Sequence, residues 1–246
     1  HALFEFAFWY RLKYALNNNA GCYLAKDILN QQQAYASYRD DYIEVTKLTN
    51  HDEYRTASEL GRSADKCKLA AAILLTAPGE PYIYYGEELG MYGEQTNGDE
   101  YVRAPMLWGD SYTTAYTDKI DKSAASNTAT VNKQLEDKNS LLNTYLTFTR
   151  LRNTYPALAE GTMSKHPVYN DSNEKNYKSV AAWYMTKDNE KLLVIHNLGS
   201  SAVTLPLTEN IEKAIALLGK AQQSKSATEF TVKLDKYSSV VYKLAE

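Results

Sequence analysis

Cysteine is scarce in this chain. Cys22 and Cys67 are the only two among 246 residues, and they stand far apart without metal-ligand spacing. One disulfide is arithmetically allowed, but two separate thiols packed near helices fit the spacing better. No apolar run approaches the roughly 18 residues that a membrane-spanning helix needs. A large excess of one charge is also missing. The net charge is −3, with no basic face to attract nucleic acid and no acidic block to act as a solvating tail. Neither an internal repeat nor a low-complexity tract is present, which excludes stacked-repeat architectures. The sequence opens at His1, with no initiator Met and no signal peptide, so the lack of a targeting segment says nothing about location. Tyrosine, in contrast, is abundant at 21 residues. Its ring with a polar tip suits sugar faces and half-buried strands alike, and most of these residues are assigned to packing. The length and the 44% hydrophobic share fit an ordinary globular chain of one large domain, or a large piece plus a smaller one.

The rest of the chain is organised around Leu48-Thr49-Asn50-His51-Asp52-Glu53-Tyr54-Arg55. Tyr42 to Leu48 reads as a buried strand that stops in clustered polar groups, an imidazole beside a carboxylate. Folds of alternating strands and helices put their chemistry there, because the strand's carboxyl end opens onto loops while its body stays packed. Taken alone, Asn50-His51-Asp52 reads better as a polar turn capping the next helix.

Two later stretches bear on the choice: Gly79-x-Pro81-x-x-x-x-Gly86-x-Glu88, then Arg103-x-Pro105-Met106-x-Trp108. Thr49-Asn50-His51-Asp52 resembles the last catalytic signature of the α-amylase family, glycoside hydrolase family 13, on the seventh strand of its barrel. The Gly79–Glu88 stretch is similar to the eighth-strand motif, and Arg103–Trp108 resembles the next segment of neopullulanase-like and oligo-glucosidase-like members. Leu3 to Trp9 and Gly86 to Asp110 are most similar in wording to the cell-surface α-amylases of starch-utilisation systems. The resemblance implies strands 6–8 of a TIM (β/α)8 barrel over residues 1–160, and an all-β antiparallel sandwich over 161–246.

The local patterns support that order. Ala2–Trp9 reads as a strand interrupted by Glu5, for which a structural or rim role is expected. Helices are expected over Tyr10–Asn18, Ala25–Asp40, from Ser63 to Leu75, and over Asn139–Thr154. Ser63 reads as the N-cap of the third, and Pro78-Gly79 as its stop. Pro81–Tyr85 reads as the next strand. Glu94–Asp110 reads as loop, and 111–132 as a polar surface excursion with one short helix. Beyond Lys165 the period changes to two, with strands near 179–185, 191–198, 202–207, 229–234 and 238–244.

Retaining glycoside hydrolysis needs a carboxylate nucleophile and a carboxylic acid about 5 Å apart across the scissile bond. The resemblance assigns neither to this chain, because both belong to earlier strands than those found near 3–8, 43–49 and 82–85. It assigns to Asp52 the supporting carboxylate that holds the sugar's 2-OH and 3-OH, and to His51 the histidine gripping the same sugar. Asn50 is expected to be structural, its amide bonding the turn. Arg55 is expected to contact substrate, orient the loop or pair with an acid, the alternative being a solvated arginine at a helix start. Glu87 and Glu88 cannot both flank one bond, since neighbouring strand residues point oppositely. Tyr92 and Trp108 are candidates for stacking on sugar rings. Asn97-Gly98-Asp99-Glu100 is oxygen-rich but lacks calcium-loop spacing, so no metal ligand is named here. Calcium is expected only in the whole protein.

The implied activity is endo-cleavage of α-1,4-glucan, with starch and maltooligosaccharides as substrates. The implied location is the cell envelope, the outer membrane's outer face or the medium, beside other starch-binding proteins. The alternatives are an α-glucosidase, neopullulanase or transglycosylase of the same family, or a non-catalytic carbohydrate-binding relative. Three parallel strands cannot close a barrel. The missing amino-terminal half of the barrel is therefore an expected partner, without which the segment is predicted inactive.

Overall fold

The computed structural model describes residues 2–109, 126–170, 177–226 and 230–245. Strands β1 (Ala2–Glu5), β2 (Ile43–Lys47) and β3 (Glu80–Tyr82) form a parallel sheet in chain order. Phe4 lies opposite Val45, and Lys47 opposite Tyr82. Parallel neighbours need a crossover. The first is filled by α1 (Phe6–Asn18) and α2 (Leu24–Ala36), the second by α3 (Thr56–Glu59) and α4 (Ala64–Thr76).

The expected strand over Ala2–Trp9 is corrected, because it gives way to helix at Phe6. Glu5 is the cause: its Oε1 accepts the Phe8 N–H at 3.0 Å, an N-cap that turns the chain. Phe8, Trp9, Leu12, Ala15 and Leu16 then fall at helical spacing and are buried. Glu5 is itself buried and accepts a hydrogen bond from the Tyr35 hydroxyl, a structural role as expected. The expected third strand is also shorter, ending at Tyr82. Beyond it, the Tyr84 and Tyr85 hydroxyls donate to the carbonyls of Val102 and Ala104, at 3.1 and 2.9 Å.

Helix α4 starts at Ser63, whose hydroxyl accepts the Lys66 N–H, and Leu69 to Thr76 are all buried. Its far end is met by Arg152 of α7 (Leu141–Thr154). That guanidinium donates to the carbonyls of Leu75, Ala77 and Gly79, a cation at a helix C-terminus. Both cysteines are buried, and neither forms a disulfide. Residues 110–125 of the polar excursion lie outside the described residues. The expected loop over 94–110 contains a 3-10 turn at Gln95–Asn97 and a short helix, α5 (Asp99–Val102), and α6 (Val131–Glu136) begins at the end of the excursion.

After α8 (Pro156–Glu160) the chain is antiparallel. A five-stranded sheet runs β4 (Thr162–Lys165), β5 (Val180–Lys187), β6 (Glu190–Asn197), β11 (Ser238–Leu244), β8 (Ile211–Leu218). A three-stranded sheet runs β7 (Val203–Leu207), β10 (Phe230–Leu234), β9 (Ala221–Lys225). Alternate residues point to opposite sides, and both sides of β5, β6 and β11 in the larger sheet are buried. Trp183, Met185, Val194 and Val241 join the core of α1, α4 and α7, while Ala182, Leu193, Ile195 and Tyr242 pack on Leu205, Val232 and Leu234. Strands β4, β8 and β9 were not expected. Ala221-Gln-Gln-Ser-Lys225 is a polar sheet edge, held as strand by its pairing with β10.

Candidate active site

The loop that leaves β2 is built from the inside outward. The Asn50 side-chain oxygen accepts the Asp52 N–H at 2.8 Å, a local turn that lifts residues 51 and 52 clear of the sheet. The side chains of His51 and Asp52 are 60% and 62% exposed, so both are open to a ligand at the carboxyl end of the middle strand. His51 Nε2 lies 3.2 Å from Asp52 Oδ2. Arg103 Nη2 donates to Asp52 Oδ1 at 2.8 Å, and its Nε donates to the His51 carbonyl at 3.0 Å. The same Nη2 meets Asp99 Oδ2 at 2.8 Å. Asp52 therefore stands between an imidazole and a guanidinium that is anchored to the loop's own backbone. Chemically, it is an exposed acceptor held in one orientation.

Other contacts fix the flanks. Lys47 pairs with Glu53, which also accepts from the Tyr10 hydroxyl at 3.3 Å. Tyr54 donates to Thr96 Oγ1 at 2.8 Å.

Arg55, expected to contact substrate, is only 1% exposed, and its guanidinium is engaged by the segment that follows β3. Nη1 donates to the Tyr85 carbonyl at 2.8 Å, and the guanidinium lies 4.9 and 5.0 Å from the rings of Tyr84 and Tyr85. Burial lowers its pKa below the ordinary arginine value. Gly86 (φ +80°) makes room, since a Cβ there would meet Met91 Sδ at 2.4 Å and Arg55 Nη1 at 3.1 Å. Of its three expected roles, orienting the loop is the one the geometry fits.

Glu87 and Glu88 lie on a short 3-10 turn, not on a strand, and their side chains still part company: Glu87 is buried and Glu88 half-buried. Tyr92 is packed, 6% exposed beneath the Arg62 guanidinium at 3.8 Å, whereas Trp108 is 61% exposed and free to stack. Asp99 is engaged by Arg103 and by Gln95 Nε2. Among the described residues, no group of three or more His, Cys, Asp or Glu side chains is placed to hold a metal ion. Arg103 is the residue that sequence reasoning missed as a partner of Asp52. It stood out only as part of a later motif, and no local pattern joins positions 51 residues apart.

Comparison with known proteins identifies the family. Residues 4–161 match the family described as the α-amylase catalytic domain, and residues 180–241 the α-amylase SusG C-terminal domain. The α-amylase SusG of Bacteroides thetaiotaomicron is 67% identical over 99% of this chain, and α-amylase 3 of Dictyoglomus thermophilum is 30% identical over 87%. The chain spans 35% and 41% of those relatives' lengths. Among solved structures, Eubacterium rectale Amy13B superposes at TM-score 0.77 with 26% identity over all of this chain and 48% of its own. An α-amylase from H. orenii superposes at 0.84 with 24% identity, over 99% of this chain and 49% of its own. The chain belongs to the α-amylase family, glycoside hydrolase family 13, and carries part of the catalytic domain together with a SusG-type C-terminal domain.

Proposed function

We propose that this chain forms the back part of a retaining α-glucan hydrolase that cleaves α-1,4-glucosidic bonds of starch and maltooligosaccharides. The observation that carries the reading is the exposed Asp52 carboxylate at the carboxyl end of β2, held by the Arg103 guanidinium with the His51 imidazole beside it. As the sugar ring flattens toward an oxocarbenium-like state, hydrogen bonds from its 2-OH and 3-OH to Asp52 strengthen, which favours the transition state over the bound substrate. His51 holds the same ring. Arg103 fixes the direction of the acceptor. The nucleophile Asp and the acid/base Glu lie in this reading on other strands of the barrel. Leu3, Phe4, Ile43 and Tyr82, exposed on the open parallel sheet, would pack there against the remaining barrel. Calcium, expected for the whole protein by resemblance, enters no step carried by these residues.

In the whole protein, Asp52→Ala should lower kcat on maltooligosaccharides by at least about a hundredfold, the several kcal/mol that such contacts supply. Activity within about tenfold of the parent would remove Asp52 from the reaction. Residues 1–246 alone should release no reducing sugar from starch, and release by the purified segment would overturn the proposed division of labour.

A second reading keeps the barrel and changes the linkage or the acceptor. The Arg103-x-Pro105-Met106-x-Trp108 wording favours it, and product analysis on maltooligosaccharides against isomaltose separates the two. For location we propose the cell surface or envelope, beside other starch-binding proteins, on the likeness to SusG. Among the described residues no helix is long and apolar enough to cross a membrane.

A further inference from the structure

A carboxylate that the reaction above does not use sits beneath the Asp52 loop. Glu87 is buried. Its Oε1 accepts the Tyr145 hydroxyl of α7 at 2.5 Å, and its Oε2 accepts Thr56 Oγ1 at 3.1 Å. When Glu87 is ionised, Thr56 gives it its one hydroxyl proton, and the 3.1 Å contact between Thr49 Oγ1 and Thr56 Oγ1 then runs from Thr49. Thr49 and Thr56 are the first and last residues of the stretch that carries Asn50, His51 and Asp52. One side chain therefore ties both ends of the loop to each other and to helix α7, while Arg103 holds its tip.

A buried carboxylate is a poor way to gain stability, because its desolvation offsets much of what its partners return, and an apolar side chain of similar volume often does as well. What it supplies instead is a fixed separation and direction for two donors, the hydroxyls of Tyr145 and Thr56. We propose that Glu87 is a positioning residue for the reaction: by closing the base of the Thr49–Thr56 loop it sets where the Asp52 carboxylate stands against the sugar. The proposal rests on the reading in which Asp52 touches substrate.

The test uses the whole enzyme on maltooligosaccharides, with the parent assayed first. An inactive parent overturns the reading of Asp52 and this proposal with it. In an active parent, Thr56→Val keeps the shape and removes the link, and Glu87→Leu removes the carboxylate. Each should lower kcat by about tenfold to a hundredfold, the scale of a small misplacement of a catalytic group, with KM within about threefold. Repeating both substitutions in an Asp52→Asn background distinguishes positioning from mere support. The loss should shrink there to less than about twofold, since no carboxylate is left to position. Should Glu87→Leu fail to fold by circular dichroism, Thr56→Val decides alone. A kcat within about twofold of the parent in folded variants, or an equal fractional loss in the Asp52→Asn background, overturns the role of Glu87 and leaves the reading of Asp52 standing.

Discussion

Arg103 and Asp52 meet at 2.8 Å across 51 residues of chain, and the same guanidinium clasps the carbonyl of His51 at 3.0 Å. One planar donor set thus reads both a side chain and the backbone next to it. A lysine has neither the fork nor the reach to do both.

Arg103→Lys in the whole enzyme should therefore lower kcat/KM on maltooligosaccharides by about tenfold or more. The pair is partly exposed, so its contribution to folding is small, within about 1 kcal/mol. Steady-state kinetics with a thermal melt checks both halves. A variant that melts early and keeps its kcat/KM would reassign Arg103 to stability alone.

Arg152 is buried and caps the end of α4 through the carbonyls of Leu75, Ala77 and Gly79. Arg152→Met keeps most of the volume and strands those acceptors. It should cost at least about 2 kcal/mol, from the roughly 1–3 kcal/mol of each buried group left unpaired. Urea unfolding measures it, and a shift under about 0.5 kcal/mol would mean that water or a rearranged neighbour replaces the guanidinium.

Burial pushes the Glu87 carboxyl from its ordinary 4.5 up to about 7, against the pull of Tyr145 and Thr56. Glu88 also faces it and raises it further, while its own charge bears on Cys67 and Arg55. Glu44 is likewise raised to about 7 by burial. In each case the folded state holds its proton above the pH at which the unfolded chain releases it. Each group's contribution to stability is thus complete below about pH 4.5 and declines as pH rises toward 7. Glu87→Gln should flatten part of that decline in denaturant titrations from pH 5 to 7.5. An unchanged slope would show that Glu87 titrates alike in the folded and unfolded chain.

Much of this architecture was legible because it derives from period and punctuation. Leu141, Tyr145, Phe148 and Leu151 announce one buried helix face, and Ser63 announces the start of α4. The alternation in 180–185 marks a strand whose two faces are both covered. Phe6–Trp9 reads wrongly as strand because an apolar run of that length fits strand and helix equally, and the cap at Glu5 decides between them only in three dimensions. Asp52 and His51 were legible as a motif. Their partners were less so: Arg103 and Glu87 act on the loop from another segment. Arg55 looks like a surface group beside a polar turn, and only the packing of Tyr84, Tyr85 and Gly86 reveals it as interior.

Thr76 ends α4 with its carbonyl on Trp183 Nε1 at 3.3 Å and its hydroxyl on His196 Nε2 at 3.2 Å, both from the antiparallel sheet. That hydroxyl gives its own proton to the Ala72 carbonyl, so the imidazole must donate, and burial keeps it neutral with a pKa near about 3. The junction is buried and shared, and the sandwich braces the carboxyl end of α4. Heating should loosen brace and barrel in one transition, and an exchange of sandwich domains between relatives would have to carry the last turn of α4 along.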